Sequence, residues 1–404
     1  MEHIRVLHIN ETHREVGGQE RYFFGLVDGL REKGLDIYSF GFDTTARKTN
    51  KSLVLKTPGY FMKQFNRFVF DFETYFKLRS WIDEIKPDII HLHGLNQSTL
   101  AILFACRGHK VVQTVHNYGM ICPTIWTVTR DDYKLCYSGA GLKCWLKGCM
   151  PLRHLIPFYV HIKIRNFFLK RLVDVYHAPS KALKIYLNKI GFEPVEVINY
   201  FIDVKGMADD EKKEYDLVFV GRLDEEKGVK FLLDAVGILK KNYPKIKVVI
   251  VGNGPEMNYL QTYSKKKDIF DNVDFVGRAD FNAVKKYYAK SRIFVMPSVY
   301  REQFGFVGIE AMANGLPSVA SNRGGIPEWC VNNETGLLID PTKPSEIARA
   351  VDTLLKDKKL AKRLGNNAKE CVKKFDKEGL LDEMIKLYKN LLKNTRNIKE
   401  RVHR

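Results

Sequence analysis

Ten short apolar runs rich in Val and Ile recur along the chain, each followed by a longer segment of helical period. They are Ile4–Ile9, Asp36–Phe40, Asp88–His93, Lys110–Val115 and Val173–Ala178 in the first half, then Tyr215–Gly221, Ile246–Gly252, Val273–Gly277, Ile293–Pro297 and Ser318–Ser321 in the second. Runs that stay apolar instead of alternating with polar residues are strands buried on both faces, and strands separated by helices pair in parallel. So many strand–helix units exceed one open sheet. The series breaks at 199–214, where periodicity fades and the charged run Asp209–Glu214 precedes a new strand. The fold class expected is α/β, with two Rossmann-like doubly wound domains facing each other across a cleft at their strand C-terminal ends. The expected division is 1–205, 206–378 and a C-terminal helix at 379–404 that packs back on the N-terminal domain; a length of 404 residues suits two domains of ~100–200 residues.

Composition narrows the class. Hydrophobic residues make up 45% and charged residues 28% of the chain, a globular balance that excludes collagen-like and wholly disordered chains. The longest apolar stretches, such as Thr99 to Cys106, fall well short of the ~20 residues that span a bilayer. The N-terminus, MEHIRVLHIN, reads as a short strand with no long apolar leader, so a cytoplasmic location is expected. A formal net charge of +19 points to an anionic partner: phosphate, a membrane surface or nucleic acid.

Several strand ends have phosphate-binding chemistry. After the first strand, Gly17 and Gly18 open a helix whose free amides and positive dipole end suit a phosphate, although two glycines after a strand are also ordinary turn chemistry. After the first strand of the second half, Arg222 and Lys227 lie five residues apart and could clamp a diphosphate, Arg as a fork and Lys as a point charge. Alternatively, Arg222 pairs with Asp224 or Glu225 and Lys227 is solvated. Gly252-Asn253-Gly254-Pro255 and Gly277-Arg278 end two further strands and could line a nucleotide base. The spacing excludes a G-x-x-x-x-G-K-[ST] loop.

The most specific segment is MPSVYREQFGFVGIEAMANGLPSVAS. It sets Glu302 on a loop and Glu310 about one turn into a short helix, with Phe304, Gly305 and Phe306 at the helix start. Each carboxylate can accept from two sugar hydroxyls, so one could hold a ribose and the other a hexose.

With these residues in view, the chain resembles the retaining glycosyltransferases of family 4, which have the two-Rossmann-domain GT-B fold. The resemblance rests on Gly17-Gly18-Gln19-Glu20, His93 in HLHG and His116 in TVHN. It continues through Val220-Gly221-Arg222-Leu223 with Lys227-Gly228, Gly252-Asn253-Gly254-Pro255, Glu302-x7-Glu310, Asn314-Gly315-Leu316-Pro317 and Gly324-Gly325-Ile326-Pro327-Glu328. It spans nearly the whole chain and is most specific from 216 to 340. It implies a UDP- or GDP-sugar donor held mainly by the second domain and a glycan or lipid-linked acceptor held mainly by the first.

The resemblance also implies residue roles. Arg222 and Lys227 would bind and stabilise the departing diphosphate, with backbone donors from Gly18. Glu310 would hold the ribose, Glu302 the donor sugar, and the amides of Phe304 to Phe306 the sugar and phosphate. His116 would lie near the reacting carbon. Of His91 and His93 on one strand, only one is expected at the cleft. The sequence contains no Asp-x-Asp, so transfer without a metal cofactor is expected; retention is implied by the resemblance alone. The alternatives are a GT-B epimerase or a non-catalytic nucleotide-sugar-binding or scaffold subunit. The joint presence of Arg222, Lys227, Glu302, Glu310 and His116 argues against a decayed site.

Residues 101–190 hold 14 Lys and Arg against 3 Asp and Glu, a net of +11. Within them PLRHLIPFYVHIKIRNFFLKRL interleaves Arg153, Lys163, Arg165, Lys170 and Arg171 with apolar residues. That pattern suits a helix lying on an anionic membrane, and equally a core helix with a basic solvent face. Peripheral attachment to the inner face of the membrane follows from the first reading. No nucleic-acid-binding motif accompanies the charge, so nucleic acid is not an expected partner. Cys122, Cys136, Cys144 and Cys149 cluster in a loop at 120–150 assigned to the first domain. A structural zinc, disulfides and free thiols all remain readings of that loop, whose spacing matches no standard zinc pattern.

Overall fold

A computed structural model describes residues 4–12, 17–42, 51–56, 70–95, 99–203 and 211–393. The expected boundary at 205/206, the middle of the loop at 10–18 and the basic tail beyond Lys393 lie outside the described residues. Two compact units emerge. One comprises residues 1–125, 138–201 and 377–404, and the other 126–137 and 202–376.

The first unit contains a seven-stranded sheet in the order β3-β2-β1-β4-β5-β6-β7. Its strands are β1 (Arg5–Thr12), β2 (Asp36–Phe42), β3 (Ser52–Leu55), β4 (Ile89–Leu92), β5 (Lys110–Thr114), β6 (Val175–Ala178) and β7 (Val195–Val197). Every pairing is parallel, with His8 of β1 opposite His91 of β4. The helices are α1 (Gly18–Glu32), α2 (Phe72–Ile85), α3 (Thr99–Ala105), α4 (Leu142–Leu146), α5 (Leu152–Leu172) and α6 (Lys181–Lys189). Leu7, Ile9, Phe40, Leu78, Ile90 and Leu103 belong to a core without solvent access.

The second unit has a six-stranded parallel sheet in the order β10-β9-β8-β11-β12-β13. These are β8 (Tyr215–Val220), β9 (Val248–Val251), β10 (Val273–Gly277), β11 (Ser291–Met296), β12 (Ser318–Ser321) and β13 (Gly336–Ile339). Its helices are α7 (Val229–Lys240), α8 (Met257–Lys266), α9 (Phe281–Ala289), α10 (Phe306–Ala313), α11 (Pro344–Lys356) and α12 (Lys358–Cys371). The last helix, α13 (Lys377–Lys393), belongs to the first unit and packs on α1 there. Both sheets follow the doubly wound plan, and strand order reverses between β1 and β4 and between β8 and β11. Ligands of such sheets bind at the strand C-terminal ends beside that reversal.

Three strands, β3, β7 and β13, have no counterpart among the ten apolar runs. Each has only three or four residues, and β3 is nowhere fully buried, so its sequence lacks the apolar run that identifies a buried strand.

Helix α5 refines the reading of the basic segment. Leu155, Phe158, Ile162 and Leu169 are buried, whereas Ile156, Val160, Ile164 and Phe167 are exposed by 60%, 50%, 44% and 49%. Arg165 is not part of the outer face. It is buried and donates to the Gly119 carbonyl at 2.7 Å, so four of the five cations lie outside the buried face, Lys170 among them donating to the Ile190 carbonyl at 2.7 Å.

The cysteine loop is divided. Residues 126–137, including Cys136, group with the second unit, not the first. No cysteine is in a disulfide; Cys122 lies against the Thr124 hydroxyl and Cys144 against the Gly139 carbonyl. Among the described residues, the metal-ligating side chains that converge in threes are His8, His91 and His93, with no cysteine among them. A four-cysteine zinc site is therefore not assembled.

Candidate active site

The site in the second unit begins with the turn that ends β8. Gly221 is followed by Arg222, whose guanidinium pairs with Asp224 at 2.9 Å while its side chain stays 69% exposed. A 3-10 turn, Glu225–Lys227, then leads into α7 through Gly228. Gly228 has φ +69°, and a Cβ there would fall 2.0 Å from the Pro297 carbonyl oxygen. Only glycine lets the turn carrying Lys227 rest on the loop carrying Glu302.

That contact joins a cation to a carboxylate. Lys227 Nζ donates to Glu302 Oε1 at 2.8 Å and to the Tyr300 hydroxyl at 3.0 Å, and lies 4.8 Å from the Tyr300 ring centroid. Ser298 Oγ also donates to Glu302 Oε1 at 2.9 Å, and the Tyr300 hydroxyl donates to Oε2. Glu302 thus accepts three hydrogen bonds while nearly out of solvent contact, as a carboxylate in a dry site must. Its backbone is fixed from behind. The Gly325 amide donates to the Glu302 carbonyl at 2.8 Å, and a Cβ on Gly324 (φ +63°) would lie 2.1 Å from that oxygen. This gives the Gly324-Gly325 pair a structural reason.

Phe304 is buried, and its carbonyl accepts from Trp329 Nε1 at 2.6 Å. Gly305 caps α10 with φ +97°, and Phe306 is the first helical residue. Glu310 is the fifth, buried with the Tyr288 hydroxyl 3.4 Å from its Oε2. Gly252, Asn253 and Gly254 follow β9, where Leu223 N donates to the Asn253 carbonyl at 3.1 Å. Gly277 ends β10 and Arg278 is exposed beside it. Arg222, Lys227, Gly252 to Gly254, Gly277 and Glu302 thus all lie at strand C-terminal ends. Glu310 is brought to the same end of the sheet by α10.

The segment at 126–137 adds residues that the motifs did not single out. Tyr133 donates to Glu225 Oε1 at 2.5 Å, and Arg323 donates to the Tyr133 carbonyl at 2.9 Å. The Arg301 guanidinium lies 3.9 Å from the Tyr137 ring centroid. Ser298, Tyr300 and Glu226 also lie outside the residues that the motifs single out. Polar residues in a loop have no spacing that distinguishes a site partner from a solvated side chain.

In the first unit, Gly17 caps α1 and its amide donates to Glu20 at 3.0 Å, so a carboxylate already occupies that helix start. Burial raises the Glu20 acid above its usual range. Asn10 accepts from the Gly94 amide at 3.0 Å and ties the ends of β1 and β4 together.

Beneath these loops lies a buried histidine assembly. His8 Nδ1 meets His93 Nε2 at 3.1 Å, His93 Nδ1 meets His116 Nε2 at 3.2 Å, and His116 Nδ1 meets the Tyr200 hydroxyl at 2.7 Å. His91 contacts the Tyr388 and Thr114 hydroxyls at 2.6 and 2.7 Å. Residues two apart on a strand share a face, and His91 and His93 stack with ring centroids 4.3 Å apart. The expectation that only one of them faces the cleft side is therefore corrected.

Desolvation lowers these histidines far below their usual range, His8 and His116 to about 3. They are neutral at pH 7. Five of the six ring nitrogens of His8, His91 and His93 already have hydrogen-bond partners, so the trio is a packed hydrogen-bonded core in this structure. His116 follows β5 and lines a small cavity of about 30 Å³ with Gln113, Asn117 and Arg165, room for about two waters.

Comparison with known proteins is consistent with this geometry. The sequence model of Glycosyltransferase Family 4 matches residues 16–205, and that of Glycosyl transferases group 1 matches residues 207–371. An uncharacterised glycosyltransferase of Methanocaldococcus jannaschii is 27% identical over 391 residues, 93% of this chain and 95% of its own. Sucrose-phosphate synthase from Thermosynechococcus elongatus shares the fold with a TM-score of 0.76 at 20% identity, covering 96% of this chain and 99% of that one. Anabaena HepE, in complex with UDP and glucose, superposes with a TM-score of 0.72 at 18% identity, covering 96% of this chain and all of its own. The chain belongs to the family 4, group 1 glycosyltransferases and has their GT-B fold of two Rossmann-like domains.

Proposed function

We propose that this glycosyltransferase moves a hexose from a UDP- or GDP-sugar to a glycan or lipid-linked acceptor, with retention of configuration and without a metal, in the synthesis of a cell-surface polysaccharide or glycolipid. The observation that carries the reading is the Lys227–Glu302 pair where strand order reverses between β8 and β11. An ammonium has three donors, and here two serve Glu302 and Tyr300, which leaves one for a phosphate oxygen. Breaking the sugar–phosphate bond builds negative charge on the diphosphate and positive character on the sugar. Lys227, joined by Arg222 once it leaves Asp224, stabilises the first, and Glu302 beside the sugar stabilises the second. Glu310 takes the ribose hydroxyls. His116 is neutral with both nitrogens engaged, so its role is to shape the acceptor pocket and present its ring edge.

The acceptor side of the proposal draws on α5. Its exposed Ile156, Val160, Ile164 and Phe167 stand among Arg153, Lys163, Lys170 and Arg171, the composition of a surface that meets anionic lipid. No described helix is long and apolar enough to cross a membrane.

A panel of nucleotide sugars assayed for nucleoside-diphosphate release, with the product's anomeric configuration read by NMR, tests the reading. One donor turned over with retention is the expected result. An inverted product, or a nucleotide sugar interconverted without transfer, contradicts it. Binding without turnover would favour the scaffold alternative.

A further inference from the structure

Next to the Lys227–Glu302 pair lies a third charged side chain. Glu226 occupies the middle of the turn Glu225–Lys227, is 8% exposed, and has an Oε2 without a hydrogen-bond partner. Its carbonyl accepts from the Val299 amide at 2.9 Å, which holds the turn against the loop that carries Ser298, Tyr300 and Glu302. The charged groups acting on it are Asp224 and Lys227 from its own turn and Glu302 from the packed loop. Within this cluster two carboxylates, Glu226 and Glu302, share one ammonium, and Glu302 holds it by direct contact. Glu226's own backbone amide hydrogen-bonds its carboxylate, but the buried Oε2 has no partner, and an anion so placed is costly.

We propose that Glu226 is a proton-coupled positioning residue: it takes one proton from solvent when the donor diphosphate binds at Arg222 and Lys227, so that donor affinity falls as pH rises. The inference rests on the donor-site reading above. The incoming diphosphate adds negative charge beside Glu226 and draws on the Lys227 ammonium, which until then offset that carboxylate. Both changes favour the neutral acid. The proton moves from buffer to the Glu226 carboxylate, and no bond to the sugar is involved. In its protonated form Glu226 no longer competes for Lys227, which is then shared between phosphate and Glu302. Burial, reinforced by Asp224 and Glu302, places the titration of this carboxyl at about 7, within the range where a second anion can move it.

Calorimetry of UDP and GDP binding to the full chain at pH 7.5, in buffers of differing ionisation enthalpy, counts protons taken up. Wild type should take up between about half and three-quarters of a proton more than Glu226→Gln, because a carboxyl titrating at about 7 is already about a quarter protonated at pH 7.5, and its affinity should fall by up to tenfold per pH unit above about pH 7. Glu226→Gln should bind with a flatter pH profile. Glu226→Asp keeps a titratable group and should retain uptake, which separates lost titration from lost folding. Equal proton counts in wild type and Glu226→Gln, with both binding, overturn the inference and leave the donor site standing. Absence of binding by either nucleotide overturns the donor-site reading and the inference with it.

Discussion

Lys227 and Glu302 have side chains only 21% and 6% exposed and lie 2.8 Å apart, so each is the other's close ionic partner in a site largely shut off from water. Removing one member of such a pair leaves an uncompensated ion, which costs more than the pair itself contributes. Lys227→Met should therefore lower stability by about 2–3 kcal/mol in urea unfolding, and the Lys227→Met/Glu302→Gln double variant should recover most of that loss. A fully additive double variant would contradict direct coupling. Gly228→Ala should cost about 2 kcal/mol or more, because the added methyl meets a carbonyl oxygen at 2.0 Å in a left-handed backbone. Its donor binding should weaken as well, since Lys227 precedes it.

At the scale of elements, the strands that carry the site were legible and their supports were not. Continuous apolar runs announce β1, β4, β8 and β11 because burial on both faces leaves no polar positions to blur them. The segment around Glu302 and Glu310 already sets the first on a loop and the second in the short helix that follows, as the structure has them. Tyr300, Ser298 and Glu226 act through contacts that only the packed loops create. The fate of residues 126–137 depends on Phe231, Glu225, Arg301 and Arg323, all distant in sequence. For α5, composition named five cations, but the helix phase turns Arg165 inward. Neutralising Arg153, Lys163, Lys170 and Arg171 should reduce sedimentation with phosphatidylglycerol vesicles by at least tenfold and leave Arg165's contact intact. Unchanged sedimentation would rule out membrane attachment through these four cations.

For the whole molecule, the histidine assembly ties folding to pH. Burial depresses His8, His91, His93, His116 and His177 in the folded state, with His8 and His116 at about 3 and His177 at about 4. A depressed folded value means that stability is full above the unfolded histidine value near 6.5 and declines as pH falls from there toward 3. Each histidine contributes at most ~1.4 kcal/mol per pH unit in that window. Stability measured by urea unfolding should fall steeply between pH 6.5 and 5, while glycosyl transfer at pH 7 remains unaffected. A flat profile would mean that the cluster is hydrated or charged.

In the proposed function, the Lys227–Glu302 pair at the reversal between β8 and β11 drives glycosyl transfer from a nucleotide sugar. Nucleoside-diphosphate release, measured with the preferred donor and acceptor for wild type, Lys227→Met and Glu302→Gln at matched folded fractions, tests it most directly. Turnover should fall at least ~100-fold in both variants, the size of effect seen when a group that stabilises developing charge is removed. Wild-type turnover in either variant would contradict it.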